Sequence, residues 1–273
     1  ARGAAVTLAA ALPHARALDD PLVPSVTNAL GGAHDILGDL TAAMAQYHEA
    51  LAGFRSLGNR NGEANALNNI GKISGDLADW QRALEHYRMA LPIWQEVKDV
   101  RREGTTLNNI GVTLSNAGDV QRALDYFALA IERRRAAKDQ AGEADTLSAM
   151  GLAESRLGQH RKALALLELA LTLRRTVGDK RSEALTMDYL GRTHLDLGDA
   201  QRAAACFEQA LALYQGTGDK RGEAVAIGDL AAAEAALKRY PDALEHGRRA
   251  LASLREIGDR SNTAGTLYLL ART

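Results

Sequence analysis

Three side chains that could bind a metal ion or share a proton, Glu154, His194 and Glu234, are spaced forty residues apart. If forty residues form one structural unit, these groups stack at about 10 Å, the usual distance between packed helices. Carboxylate and imidazole groups can ligate zinc, and they also form hydrogen-bonded pairs between helices. We favour the hydrogen-bonded His–Glu pair and predict no metal site.

Amide side chains are concentrated in two identical segments, residues 67–71 and 107–111, which both read Leu-Asn-Asn-Ile-Gly. Asn is unfavourable inside a helix because its side chain competes for backbone hydrogen bonds. Two consecutive pairs therefore indicate a specific use. One interpretation is a ladder of amides that binds an extended peptide backbone. The alternative is that the amides cap carbonyls or bridge neighbouring helices.

The amide pairs belong to a longer polar stripe at helical spacing. Asn65, Asn68, Asn69, Lys72 and Asp76 follow one another at i, i+3, i+4, i+7 and i+11, on the face opposite the apolar residues. The same face of later helices supplies further candidates. The residues that we predict to contact a peptide or protein are Asn65, Asn68, Asn69, Lys72, Asn108, Asn109, Asn116, Arg156, Asp188, Tyr189, Arg192, Asp196 and Asp229.

Other classes of function have little support in the sequence. There is no Ser/His/Asp set, phosphate-binding loop or paired metal motif, so we predict neither catalysis nor a cofactor. The single cysteine, Cys206, excludes an internal disulfide, and we expect a cytoplasmic protein. A net charge of −1 argues against nucleic acid as a partner, and the lack of a long apolar run argues against a membrane.

Two groups of basic residues, 133–135 and 174–175, lie late in predicted helices. Positive charge is favourable at the C-terminal end of a helix, and this explains both groups adequately. The alternative is a basic strip on the outer face of the molecule.

These side chains must be positioned by a forty-residue repeat, which runs without insertion from about residue 24 to 273. Apolar residues recur at helical spacing, Asp or Asn begins each unit as an N-cap, and Gly follows most first helices as a C-cap. Small residues such as Gly71 and Gly111 should allow two helix backbones to approach closely. The pattern predicts six helix pairs: 24–57, 61–97, 101–137, 141–177, 181–217 and 221–257.

Partial units are expected at both ends of the chain, at residues 1–20 and 261–273. Residues 1–12 resemble a signal peptide faintly, but they keep the repeat phase, with Asp19 aligned to Asp99 and Asp139. We therefore interpret residues 1–20 as the second helix of a preceding unit. Since the chain lacks an initiator Met and stops early in a unit, we expect it to be part of a longer protein.

The positions of Leu67, Ile70, Gly71, Ala83 and Tyr87, repeated in register, resemble the tetratricopeptide repeat family. The common unit has about 34 residues. The forty-residue variant, with its longer second helix, is similar to arrays in kinesin light chains, spindle-orientation scaffolds and bacterial signalling proteins. The resemblance implies an all-α, right-handed superhelical solenoid whose first helices line a concave groove. It also implies protein or peptide binding rather than catalysis.

Chaperone-binding members of the family hold a peptide carboxylate with Lys and Asn on their first helices. Here the first of those positions carries Asn68 and Asn108, and Lys72 and Arg192 are isolated. We therefore expect no chaperone-tail clamp. The leading hypothesis is an interaction scaffold with a protein or peptide in the groove. The alternative is the regulatory or sensor arm of a larger signalling protein, bound to its own effector domain, such as a caspase-like peptidase or transcription regulator.

Overall fold

A computed structural model describes residues 2–17 and 20–272 of the chain. These residues form fourteen α-helices and no strand, which confirms the predicted all-α class. The helices are α1 Arg2–Ala17, α2 Val23–Ile36, α3 Leu40–Ser56, α4 Arg60–Asp76, α5 Trp80–Glu96, α6 Val100–Asn116, α7 Val120–Ala136, α8 Gln140–Arg156, α9 His160–Val177, α10 Lys180–Asp196, α11 Ala200–Thr217, α12 Lys220–Ala236, α13 Tyr240–Ile257 and α14 Arg260–Arg272.

The chain forms two compact bodies, an N-terminal body of residues 1–139 and a C-terminal body of residues 140–273. In the N-terminal body the most extensive helix contacts are those of α2 with α3, α4 with α5 and α6 with α7. In the C-terminal body the corresponding pairs are α8 with α9, α10 with α11 and α12 with α13. Within each body the next first helix also packs against the preceding pair, so the pairs are stacked. The exact division into six repeat units and two partial ones stays a prediction.

The joints between helices follow local sequence signals. Asn59, Asp99 and Asp179 accept a hydrogen bond from the backbone N–H three residues on, at 2.9, 3.0 and 3.1 Å, as N-caps do. A residue with positive φ follows the last residue of most described helices, directly or one position later. It is usually glycine, but Ala78 and Lys98 also adopt φ of 59° and 58°. The predicted caps are therefore present, while Asp19 lies outside the described residues.

Glycines on the first helices of the pairs lie directly against large side chains. A Cβ atom added to these glycines would meet the facing aromatic ring at a distance that real side chains do not show. The distances to the ring Cε1 are 2.7 Å for Gly71 and Tyr87, 2.6 Å for Gly111 and Phe127, and 2.5 Å for Gly191 and Phe207. The predicted close approach of helices is confirmed at all three crossings.

Buried glutamates in the first turns of two first helices, α4 and α10, connect each of these helices to the preceding helix pair. Arg55 Nε donates to Glu63 at 2.9 Å, and Arg175 Nε donates to Glu183 at the same distance. Both glutamates are at most 8% exposed. A favourable interaction with the helix dipole explains an acidic residue at this position, and the interhelix ion pair explains why it is buried. These contacts orient the first helices on which the candidate site lies.

Candidate functional site

In the N-terminal body the predicted amide ladder forms hydrogen bonds between successive first helices. Asn69 Nδ2 on α4 donates to Asn28 Oδ1 on α2 at 3.2 Å. Asn68 Oδ1 accepts from Thr106 Oγ1 at 3.1 Å and from Asn109 Nδ2 at 3.4 Å, both on α6. This arrangement is the interhelix bridge of the second interpretation. Contact of these amides with a ligand remains a prediction.

The other candidates in the N-terminal body are placed on the same helices. Lys72 Nζ donates to Asp35 and Asp76, at 2.9 Å in each case. Asn65 is half-buried, and Asn116 is exposed at the end of α6. The Oδ1 atom of Asn108 is buried without a hydrogen-bond partner among the described residues. The stripe is thus polar as predicted, but internal contacts already use much of its hydrogen-bonding capacity.

The C-terminal body contains a cavity of 580 Å³ on its first helices. Three predicted residues of α10, Asp188, Tyr189 and Arg192, line this one cavity. A volume of this size is typical of sites that bind small molecules or short segments. The remaining lining residues are Arg181, Ser182, Leu185, Tyr214, Asp219, Arg221, Gly222, Val225 and Asn262.

Asp188 is the most buried charged group of this cavity, with 2% exposure. Its Oδ2 atom accepts a hydrogen bond of 2.8 Å from the hydroxyl of Tyr214 on α11, while its Oδ1 atom has no partner among the described residues. Burial raises the pKa of the Asp188 carboxyl to about 7, against the lowering effect of the Tyr214 hydrogen bond. Asp188 therefore changes charge near neutral pH.

The cations around Asp188 are paired with other carboxylates. Arg192 Nη2 donates to Asp229 Oδ2 on α12 at 2.7 Å. Arg181 Nε donates to Asp219 and Arg221 Nε to Asp259, both at 2.9 Å. Of the predicted residues, Asp229 thus enters the site as the partner of Arg192 rather than as a lining residue.

Sequence analysis did not identify Arg181, Arg221 or Tyr214 as part of this site. A signal for the arginines was present, because Arg181 and Arg221 share one repeat position and each reaches the N-terminal carboxylate of the next first helix. No comparable signal marked Tyr214, since only the packing of α11 on α10 brings its hydroxyl to Asp188.

Two predicted residues of the C-terminal body lie away from the cavity. Arg156 is exposed at the end of α8. Asp196 Oδ2 lies 3.8 Å from His160 Nδ1 and accepts from Ser155 Oγ at 3.4 Å. Neither lines the cavity, and their contact with a partner remains a prediction.

One expectation about charged side chains needs correction, and the alternative of a basic strip loses two of its residues. The His–Glu pair exists, but Glu234 pairs with His246 at 2.8 Å rather than with His194, because α13 packs directly on α12. Arg134 and Arg174 are each only 5% exposed and do not belong to an outer basic strip. Arg174 instead contacts Asp145 and Asp179.

Within residues 2–17 and 20–272, no group of three or more His, Cys, Asp or Glu side chains is arranged to hold a metal ion. None of the described helices combines the length and the apolar composition needed to cross a lipid bilayer. The polar surface of the first helices, including the α10 cavity, is the candidate site considered for the described part of the chain.

Comparison with known proteins agrees with this architecture. The sequence profile of the tetratricopeptide repeat matches residues 22–96, 62–136, 102–176 and 142–216. These overlapping matches cover most of the chain. Stacked helix pairs with polar first helices define a helical repeat scaffold. The chain belongs to the tetratricopeptide repeat family.

Solved structures with the same fold include BtubC (BKLC) from P. vanneervenii, which is 21% identical with a TM-score of 0.68 over 80% of this chain and 92% of that one. A STAND protein from Pyrococcus horikoshii with a tetratricopeptide repeat sensor is 16% identical, with a TM-score of 0.73 over 90% of this chain. This chain spans 37% of that protein. A Rap protein complexed with competence and sporulation factor is 12% identical, with a TM-score of 0.67 over 98% and 84% of the two chains. No curated protein matches the sequence.

Proposed function

We propose that this protein is a scaffold that binds an extended peptide segment on the polar face of its first helices. The cavity lined by α10, α12 and residues of α11 and α14 is the principal site. The observation that carries this proposal is the convergence of Asp188, Tyr189 and Arg192 on a single open cavity. Their position on one helix face follows from the spacing of the sequence alone.

The chemistry of the cavity suits a peptide. Its wall combines aromatic rings with arginine and aspartate side chains, which can contact both the side chains and the backbone of an extended segment. The arginines are partly exposed although they are paired, so they can donate further hydrogen bonds. In the N-terminal body the Asn side chains are held in place by their mutual bonds. They would present their remaining donors and acceptors in a fixed orientation.

The relatives support binding of a partner by this fold. The Rap protein of similar structure was solved as a complex with competence and sporulation factor. By analogy alone, the present chain would hold a ligand of comparable class.

A second candidate function is that of a sensor arm. The similarity to the tetratricopeptide repeat sensor of the STAND protein favours it, since this chain matches only part of that protein. In this case the same face would bind a signalling peptide or a segment of an attached effector domain, such as a caspase-like peptidase or a transcription regulator. The two candidates share the binding site and differ in what binding controls.

The binding site can be tested with a library of random peptides, capped at both ends and displayed on their own messenger RNA. Peptides selected on the wild-type chain are made with a photoreactive group, and the crosslinks are mapped by mass spectrometry. We expect crosslinks on α10, α12 and α14 and loss of binding in a Tyr189→Ala/Arg192→Ala double variant. Glu208→Ala, an exposed change on α11, is the matched control and should bind normally. Crosslinks confined to α9, α11 and α13, or no selected peptide, would contradict the proposal.

A further inference from the structure

Asp188 forms the floor of the α10 cavity, and its Oδ1 atom is a hydrogen-bond acceptor without a donor among the described residues. We propose that this floor is a pocket for one basic side chain, lysine or arginine, through which the bound peptide is anchored to Asp188. The inference rests on the peptide-binding function proposed above and assigns the chemical class of the anchor residue. It follows from the pairing of charges, the unpaired oxygen and the shape of the cavity.

The charged residues of the cavity leave one carboxylate without a cation. Arg181, Arg192 and Arg221 each form an ion pair with an aspartate other than Asp188, at 2.7 to 2.9 Å. Among the described residues, Asp188 has a hydrogen bond only from the neutral hydroxyl of Tyr214. When Asp188 is ionised, the site therefore carries one uncompensated negative charge on its floor. A buried carboxylate without a cation is unfavourable, and a ligand cation would remove this cost.

The hydrogen bonds point to the same ligand. Tyr214 occupies the Oδ2 atom of Asp188, and the buried Oδ1 atom has no donor. An ionised carboxylate only accepts hydrogen bonds, so the missing group must be a donor. A lysine ammonium or an arginine guanidinium supplies both the donor and the positive charge, and such charge-assisted bonds are the strong ones.

The walls of the cavity suit a long basic side chain. Because Asp188 is only 2% exposed, a ligand group must be narrow and must reach the floor past the other lining residues. Leu185 and Val225 offer apolar surface for an aliphatic stem, and Tyr189 offers an aromatic ring for the cation. Lysine and arginine combine a stem of this kind with a terminal cation.

The outer part of the cavity favours hydrogen-bond acceptors and negative charge, because two arginines lie there. The side chains of Arg181 and Arg221 are 77% and 68% exposed, and they contact their aspartates through Nε. Their terminal amino groups are therefore accessible to carbonyl or carboxylate oxygens of a peptide backbone. An acidic anchor bound by these arginines is the competing arrangement, and it would leave the Asp188 floor empty.

The experiment uses the capped peptides selected on the full chain and measures their affinity by fluorescence polarisation. In each peptide an arginine is replaced by citrulline, which keeps its length without the charge, or a lysine by norleucine, which keeps its four-carbon stem without the charged amino group. We expect these changes to weaken binding to the wild type by about tenfold or more and binding to Asp188→Asn by less than twofold. Asp188→Asn itself should weaken the unmodified peptides by about tenfold, while Glu208→Gln, with the same change of charge on the outer face, should not.

Three results separate the possibilities. If no peptide binds, the proposed function fails. If peptides crosslink to α10 and α12 but tolerate citrulline, or if the selection yields acidic anchors, the function stands and the basic pocket is overturned. If Asp188→Asn does not fold, the test uses the wild-type chain and a peptide that carries a photoreactive diazirine analogue of lysine at the anchor position. Crosslinks to the residues around Asp188 support the pocket, and crosslinks elsewhere overturn it.

Discussion

The hydroxyl of Tyr214 donates a 2.8 Å hydrogen bond to the buried carboxyl group of Asp188. This bond joins the second helix of one pair to the polar face of the first, and it holds Asp188 Oδ2 in a fixed position. The Oδ1 atom of the same carboxyl group is buried and has no hydrogen-bond partner among the described residues. Tyr214 is therefore a positioning residue for the candidate site.

Replacing Tyr214 with phenylalanine should lower the free energy of unfolding by about 1–3 kcal/mol, because a buried acceptor loses its donor. Urea denaturation followed by circular dichroism measures this change. The matched control is Tyr126→Phe, a half-buried tyrosine of α7 whose hydroxyl has no hydrogen bond among the described residues. Equal effects of the two changes would show that the Tyr214 bond does not contribute.

The stability of the wild type should fall, relative to Asp188→Asn, as pH rises from about 4 to about 7. The native state holds the Asp188 proton up to a pKa of about 7, while the unfolded state releases it near 3.8. The bound proton therefore stabilises the native state fully below pH 3.8, and this stabilisation is lost as pH rises from 3.8 to about 7. Its size is on the order of 4 kcal/mol. The ionisable groups that influence the pKa of Asp188 are Tyr214, Asp229 and Arg192.

Chemical denaturation of both proteins at a series of pH values tests this prediction. Parallel stability curves for wild type and Asp188→Asn would show that the carboxyl group has an ordinary pKa. A wild type that gains stability relative to Asp188→Asn between pH 4 and pH 7 would contradict the predicted sign.

Gly111→Ala should destabilise the N-terminal body by about 1–3 kcal/mol, because the new methyl group would lie 2.6 Å from Phe127 Cε1. Gly75→Ala on α4 is the control, since its methyl group would be 3.9 Å from the nearest side-chain atom, Ala83 Cβ. That change should stabilise the helix by about 0.5–1 kcal/mol. Thermal melts compare the two variants, and a shift of the same sign in both would refute the packing argument.

Asn68→Ala should destabilise the chain by about 1–2 kcal/mol, because Thr106 and Asn109 both lose their acceptor. Asn65→Ala removes a half-buried amide from the same helix and should change stability by less than about 0.5 kcal/mol. Melting curves without ligand therefore separate the bridging role of these amides from any role in binding. Equal melting temperatures for Asn68→Ala and wild type would favour a purely ligand-binding ladder.

Lys98→Gly should stabilise the chain by about 0.5–1 kcal/mol, because Lys98 has a φ of 58°, in the left-handed region that is unfavourable for residues with a Cβ atom. Ala117→Gly is the control. Ala117 ends α6 with a φ of −75°, so glycine there gains no relief from strain and should be neutral or destabilising. Denaturation midpoints test the contrast, and a lower midpoint for Lys98→Gly would contradict it.

Local features of the sequence were good predictors of the elements. The forty-residue spacing, the Asp caps and the small residues at Gly71 and Gly111 were all recognisable, because each depends on contacts that repeat from one helix pair to the next. The same regularity made the polar face of the first helices predictable as a stripe. It did not show which members of the stripe are engaged by their neighbours.

The candidate site was predictable only in part, because its character depends on residues from different helices. Asp188 was identified as polar and placed on the correct face, but its burial and its contact with Tyr214 depend on how α11 packs on α10. Glu234 was likewise expected in a His–Glu pair, but its partner His246 was not identified. In both cases two side chains far apart in sequence meet through a helix packing that spacing alone does not specify.

The sequence by itself determined the all-α class, the family and the face on which a ligand is expected, because these follow from periodicity and from residues that each helix pair repeats. Only the tertiary structure decided that Asn68 and Asn69 bridge helices, and that Arg192 is paired while Asp188 keeps an unpaired oxygen. The physical reason is that hydrogen bonds and charges act over a few ångströms between side chains of different helices. Their partners are therefore set by packing rather than by position in the chain.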